Sequence, residues 1–305
     1  MQSHLGPGIG GAVREFYWNW QKQRVTITYE ILGEGKPILL LPAFSSVSTR
    51  SEMAGLAARL AEKFQVVALD WVGFGDSSRP GFRYRPAVYH AMLKDFVQAV
   101  FQEPVVVIAA GHAAGYVMQL AQRSSPPWSW IVLVAPTWRG PLPTAMGEHR
   151  WAYNTLRFVV RLPLIGQLLY WLNTLPPFLR WMYQRHVYAD PAHITPALIR
   201  DKWRTTQRRG ARFASAAFVT GALDPVRKRS EFFNYFQPPL SAPVMMVIGE
   251  QTPPKSLEEM EILAHFSGVG IQIYRMPGSL GLHEEYADTL ADGILPFLQK
   301  YLSKS

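Results

Sequence analysis

The chain predicts an α/β fold, a mostly parallel central sheet covered by helices, with a helical cap inserted late in the sequence. Three observations carry that expectation. Short apolar runs of strand length alternate with 3.6-residue periodicities before residue 138 and again after residue 240. Between them, residues 138–240 are helical in pattern, aromatic and basic, with no strand signal. The length, 305 residues of which 48% are hydrophobic, suffices for one large domain with an insertion.

The elements follow in order. Phe16–Trp20 and Val25–Leu32 alternate as a hairpin, and Gly33-Glu34-Gly35 turns the chain out of it. Buried-type strands are expected at Ile38–Leu41, Gln65–Leu69, Val105–Ala110, Ile131–Val134, Val244–Ile248 and Ile271–Tyr274. Met53, Leu56, Ala57, Leu60 and Phe64 mark one intervening helix, and Val88, Met92, Phe96 and Val100 mark another. Tyr286–Leu302 reads as a closing amphipathic helix. The organisation expected is a discontinuous core, residues 1–137 and 241–305, and a cap at 138–240 broken by Pro163, Pro176, Pro177 and Pro191.

Composition narrows the function classes. The chain has no cysteine, which excludes disulfides, thiolate catalysis and Cys-ligated metals, and no metal or cofactor is implied. Met1–Gly11 lacks the basic-then-apolar order of a secretory signal, and no apolar run reaches 18 residues. The expected location is cytoplasmic, or peripheral on an inner or thylakoid-type membrane. Charge is uneven. Residues 138–240 hold 15 Lys and Arg against 5 Asp and Glu, a net of +10, while the whole chain is +9. Such a segment is either a solvated surface or a face that meets anionic lipid or an acidic partner.

Three motifs point to a family. Leu39-Leu40-Leu41-Pro42-Ala43-Phe44 is an apolar strand running into a loop. Asp70-Trp71-Val72-Gly73-Phe74-Gly75-Asp76-Ser77-Ser78-Arg79-Pro80 has the form D-x-x-G-x-G-x-S-x-x-P. Gly111-His112-Ala113-Ala114-Gly115 follows a strand pattern and opens a helical one, the setting in which G-x-S-x-G presents a nucleophile. On these motifs the chain resembles the α/β-hydrolase-fold superfamily over nearly its whole length. Trp18-Asn19-Trp20, Gly33–Pro37 and Pro136–Pro141 resemble cyanobacterial and plastid members.

The resemblance implies a Ser-His-Asp triad, and it places Ala113 at the nucleophile position, Thr252 at the acid position and Leu280 at the base position. None of the three carries the required group. The resemblance also places the oxyanion-hole N–H groups at Phe44 and Ala114. His283 is a candidate substitute base, oriented by Asp224 or Glu250; His112 is another; and Asp70 is expected to hold its own glycine-rich loop. Losing the nucleophile costs serine proteases on the order of 10⁶ in turnover.

The cap supplies candidate binding residues. Apolar bulk between residues 156 and 186 is punctuated by Arg157, Arg161, Arg180 and Arg185. Leu164–Leu175 is too short to span a bilayer, but the pattern fits an interfacial helix as well as a lid packed on the core. Trp138, Arg139, Trp171, Trp181, Arg157, Arg161 and Arg180 are the expected ligand- or membrane-binding residues. The expected function is therefore a non-catalytic binder of an apolar small molecule, lipid or assembly partner at an anionic membrane surface. The alternatives are a hydrolase acting on a lipidic ester through a non-standard His and carboxylate, and a plain interaction scaffold. No nucleic-acid recognition motif accompanies the charge.

Overall fold

Eight strands form one sheet in the order β1-β2-β4-β3-β5-β6-β7-β8. They are β1 (Ala12–Trp20), β2 (Gln23–Leu32), β3 (Pro37–Leu41), β4 (Gln65–Leu69), β5 (Val105–Ala110), β6 (Trp128–Val134), β7 (Val244–Gly249) and β8 (Gln272–Met276). A computed structural model describes residues 8–147 and 150–302. The leader reading at Met1–Gly11 therefore falls largely outside the described residues.

The expected hairpin is present and longer than the alternation suggested: all nine residues of β1 pair antiparallel with β2. Its two-residue turn, Gln21 and Lys22, has both residues at positive φ, the geometry that matches the twist of paired strands. β2 is antiparallel to β4, and every pair from β4 through β8 is parallel. The central strands β5 and β7 are buried along their full length, which explains why they read as continuous apolar runs.

Helices α1 (Ala54–Leu60), α2 (Pro86–Val100) and α3 (Ala113–Ala121) connect the first parallel strands. On α2, Val88, Tyr89, Met92, Leu93, Phe96 and Val97 are buried at helical spacing, so one stripe seals the sheet. The strand order reverses between β3 and β5. Ligand sites in open parallel sheets lie at such switch points, beyond the carboxyl ends of the strands. Here those ends carry the loops after Leu41 and after Ala110.

Between β6 and β7 the described residues hold only helices and turns: α4 (Pro141–Met146), α5 (Arg150–Arg161), α6 (Pro163–Leu172), α7 (Pro176–Met182), α8 (Pro196–Thr206), α9 (Ala211–Val219) and α10 (Arg229–Asn234). The helices break at the expected prolines, each of which opens the next one: Pro163 begins α6 after α5 ends at Arg161, and Pro176 with Pro177 begins α7. The first turn has no partner for its N–H groups anyway, so proline costs nothing there. After β7 come α11 (Pro254–Ser267), α12 (Leu282–Glu285) and α13 (Ala287–Leu302).

The segment is pinned to the sheet by buried charge. Lys202 on α8 lies 2.7 Å from Glu284 on α12 and 3.4 Å from Glu52. Burial opposes its charge, but the two carboxylates outweigh that and hold the ammonium pKa above its ordinary value. Arg208 reaches back to Asp76 at 2.5 Å and to the Gly75 carbonyl at 2.6 Å. Part of the basic excess is thus spent on internal pairs rather than solvated.

Candidate functional site

The loop Asp70–Pro80 behaves as its glycines require. The Asp70 carboxylate accepts from the Arg50 and Asp76 N–H groups at 2.6 and 2.7 Å and from the Arg50 guanidinium. Gly75 has φ +49, and a Cβ there would collide with that carboxylate. Arg50 also binds Glu30 at 2.6 Å and Asp76 at 2.9 Å, so β2, β4 and the loop share one buried cation.

The turn after β5 is tight. Gly111 has φ +53, its N–H donates to the Val134 carbonyl at 2.8 Å, and its carbonyl accepts from Thr137 at 3.1 Å. A Cβ at Gly111 would lie 3.2 Å from Ala43 Cβ, in the loop after β3, and 3.9 Å from Thr137 Oγ1. That is where a side chain would project from a strand-to-helix elbow. His112 caps α3, and Ala113 is its first residue, with no solvent exposure.

His112 is held on one side only. Its Nε2 lies 3.1 Å from the Leu223 carbonyl and 3.3 Å from Asp224 Oδ1, while Nδ1 is buried without a partner among the described residues. A carbonyl can only accept, so Nε2 carries the proton. Asp224 Oδ1 is fixed in turn by the Gly140 N–H at 2.8 Å. Phe44 and Phe218 pack around the ring, with centroids 6.0 and 5.4 Å away. Phe44 itself stacks on Trp71 at 4.7 Å.

The acid and base loops are stitched together. The Gln251 N–H donates to the Gly278 carbonyl at 2.9 Å, and Glu250 N–H to Met276 at 3.0 Å. Thr252 is buried and its hydroxyl has no partner among the described residues. Leu280 packs against the main core, and the Gly281 N–H donates to Val187 at 2.8 Å.

The large cavity lies elsewhere. A cleft of about 1140 Å³ opens between α5, α9 and the segments 83–87, 138–143 and 222–227. Trp138, Tyr153, Phe158, Val160 and Phe213 line it, together with Arg83, Arg85, Arg139, Arg157, Arg161 and Arg227. Gly111, Ala113, Thr252, Leu280 and His283 do not. Arg157 is half-buried in the wall, donating to Thr220 Oγ1 at 3.0 Å and to Asn154. Burial, then the charge of Arg83, lowers its pKa.

A family model described as the Alpha/beta hydrolase family matches residues 38–292. The chain belongs to that family. Among solved α/β-hydrolase-like structures, it is similar to a bromoperoxidase from Bacillus anthracis (16% identity, 94% of this chain and 100% of that one, TM-score 0.72). A thermophilic esterase from Thermogutta terrifontis gives the same identity and score over 95% and 99%. An enol-lactonase from Burkholderia xenovorans LB400 follows at 18%, covering 90% and 97%, TM-score 0.67. At such identities the likeness is one of fold. Uncharacterised proteins of Mycobacterium tuberculosis and Mycobacterium bovis are 32% identical over 95 residues, 31% of this chain. The chain spans about 27% of the length of those curated relatives.

In this family the nucleophile occupies the strained residue at the strand-to-helix turn. That residue is Gly111, two positions before Ala113, which is already helical. The N–H of Ala114, the expected oxyanion donor, donates to the Gly111 carbonyl at 3.2 Å. His283 is correctly buried but faces Glu52, 3.6 Å from Nε2; Asp224, one of its two expected orienting groups, sits beside His112 instead.

The binding residues divide. Trp138 is buried, with Nε1 3.2 Å from Glu259 and the Arg139 guanidinium 4.2 Å above its ring. Arg157 faces the cleft. Arg161 bonds the Gly81 carbonyl at 2.9 Å, and Trp171, Trp181 and Arg180 are exposed. On α6, Gly166 and Tyr170 face inward while Leu164 (87% exposed), Ile165, Leu168, Trp171 and Leu172 face out. Among the described residues no helix is long and apolar enough to cross a membrane. Sequence reasoning missed Arg83, Arg85, Tyr84 and Phe213 as cleft residues; the run Phe82-Arg83-Tyr84-Arg85, aromatic and basic in alternation, was the available signal.

Proposed function

We propose that this chain is a triad-deficient, non-catalytic member of the α/β-hydrolase family, of the cyanobacterial and plastid type. Its 138–240 segment serves as a cap that docks α6 and α7 on an anionic membrane surface and holds an apolar ligand. The observation that carries the reading is the elbow. Gly111 stands at the positive-φ turn, His112 and Ala113 follow it, and none of the three carries a hydroxyl or thiol to attack an acyl carbon. Thr252 supplies no charge to orient an imidazole, and Leu280 is no base.

Membrane docking is supported by the outward apolar face of α6 together with Trp181 and the exposed Arg161, Arg180 and Arg185 beside it. Each such cation near an anionic leaflet contributes about 1 kcal/mol. A second reading, hydrolysis of a lipidic ester through water activated by His112, is favoured by the 3.3 Å contact with Asp224. Against it, the ring is sealed between Phe44 and Phe218, with only 1% of the residue exposed.

Two experiments test the proposal. A fluorophosphonate probe should leave the protein unlabelled, and an adduct mapped to any residue beside Gly111 would overturn the non-catalytic reading. The protein should co-sediment with phosphatidylserine vesicles at low salt and be released at high salt. Equal, negligible binding to phosphatidylserine and phosphatidylcholine vesicles would remove the membrane role.

A further inference from the structure

We infer that the cleft around Arg157 binds a single-chain amphiphile whose head group is an anion, a carboxylate or a phosphate. The inference rests on the non-catalytic reading above in one respect: the ligand is held rather than cleaved.

The cleft holds unpaired positive charge. Arg157 is half-buried, yet among the described residues its guanidinium bonds only neutral partners: the Thr220 hydroxyl and carbonyl and the Asn154 amide oxygen. Asp224 is the carboxylate that acts on it, but Asp224 Oδ1 is occupied by the Gly140 N–H and lies against His112. Arg83, Arg85, Arg161 and Arg227 surround the same space, and none forms an ion pair among the described residues. Glu231, the other acid on the cleft wall, accepts from the Arg227 backbone N–H at 2.9 Å. Withdrawing a guanidinium from water without a counter-ion is costly, and a bound anion removes that cost. A guanidinium offers a fork of donors that fits a carboxylate or phosphate with two parallel bonds.

The tail argument is apolar lining. Trp138, Tyr153, Val160, Phe213 and Val226 give the cleft an apolar wall beside its cations. Phe158 also lines it while 65% exposed, on the helix that runs through Leu162 into the outward apolar face of α6. At the end of α5 nearest α6, Phe158 and Arg161 both line the cleft, an apolar group beside a cation. Small polar anions would leave the wall uncovered, and neutral lipids would leave the arginines unpaired.

Calorimetric titration of the full chain with dodecanoate, dodecyl phosphate, dodecanol and inorganic phosphate tests this. Dodecanoate or dodecyl phosphate should bind one per chain, at least tenfold tighter than dodecanol, and the ratio of the two anions identifies the head group. Inorganic phosphate alone should bind at least 100-fold more weakly than the preferred amphiphile. In Arg157→Met the anion and dodecanol affinities should converge to within about threefold, through loss of anion binding at unchanged dodecanol affinity, which also shows that the variant is folded. Arg157→Lys should retain part of the preference. Equal affinity for dodecanol and both anions in the wild-type chain, or a preference that survives in Arg157→Met, would overturn the inference. Colour release from p-nitrophenyl dodecanoate reports separately on the non-catalytic reading. Vesicle sedimentation reports separately on docking, so either can fail while the cleft stands.

Discussion

His112, at the start of α3, and Asp224, between α9 and α10, face each other, Nε2 to Oδ1 at 3.3 Å, with the Gly140 N–H bonded to the same oxygen. The carboxylate thus joins the elbow, the segment after β6 and the end of the inserted helices. Asp224→Ala should leave a buried N–H without an acceptor and cost about 1–3 kcal/mol in urea unfolding. Asp224→Asn, which keeps an acceptor oxygen, should cost less than half as much.

The Lys202 cluster should matter more. Its partners Glu284 and Glu52 are largely buried, so removing the cation leaves two carboxylates uncompensated. Lys202→Met should destabilise by about 3–5 kcal/mol, read from the urea midpoint. Because the ammonium pKa is raised in the folded state, its contribution is complete below the ordinary lysine value of 10.5 and fades as pH rises through the folded one. The wild-type and Lys202→Met stabilities should therefore approach each other as the pH rises into strong base.

His90 sets an acid-side dependence. Burial pushes its pKa from 6.5 down to about 4, and its Nε2 has no partner among the described residues. The unfolded chain binds the proton more tightly, so stability is full above pH 6.5 and falls as pH drops towards 4. The loss attributable to this residue should reach up to about 3 kcal/mol. In His90→Gln the fall between pH 7 and 4.5 should be smaller than in the wild-type chain by about 2 kcal/mol, the part of that loss that falls in this interval.

The outward face of α6 and α7 makes a different prediction. Leu164→Glu with Trp181→Glu should change stability by no more than about 0.5 kcal/mol per site, since both side chains are mostly in solvent. The same pair should abolish sedimentation with phosphatidylserine vesicles. Undiminished vesicle binding would place the contact elsewhere.

The sheet was legible because its signals are local. Runs such as Val105–Ala110 are apolar throughout where the strand is buried on both faces. The Asp70–Pro80 loop was legible for the same reason, with its glycines set close to a carboxylate from the same motif. The elbow register was not. Ala109-Ala110-Gly111-His112-Ala113 and Gly111-His112-Ala113-Ala114-Gly115 both alternate small residues around a centre, and only the backbone at Gly111 decides between them. Lys202 sits in what reads as a solvated basic run, Arg200 to Arg212, yet it is buried by partners from Glu52 and Glu284, remote in sequence. The His112–Asp224 contact and the Arg157 cleft are likewise made by segments that meet only in the fold.

The most direct test of the central claim is the rate of p-nitrophenyl butyrate hydrolysis by the wild-type chain, Gly111→Ser and Ala113→Ser. With no acid at Thr252 and no base at Leu280, all three should match buffer, and Gly111→Ser should also lose about 1–2 kcal/mol of stability from a side chain at φ +53. Turnover well above buffer in the wild-type chain, lost on His112→Ala, would show instead that the fold is catalytic through its imidazole.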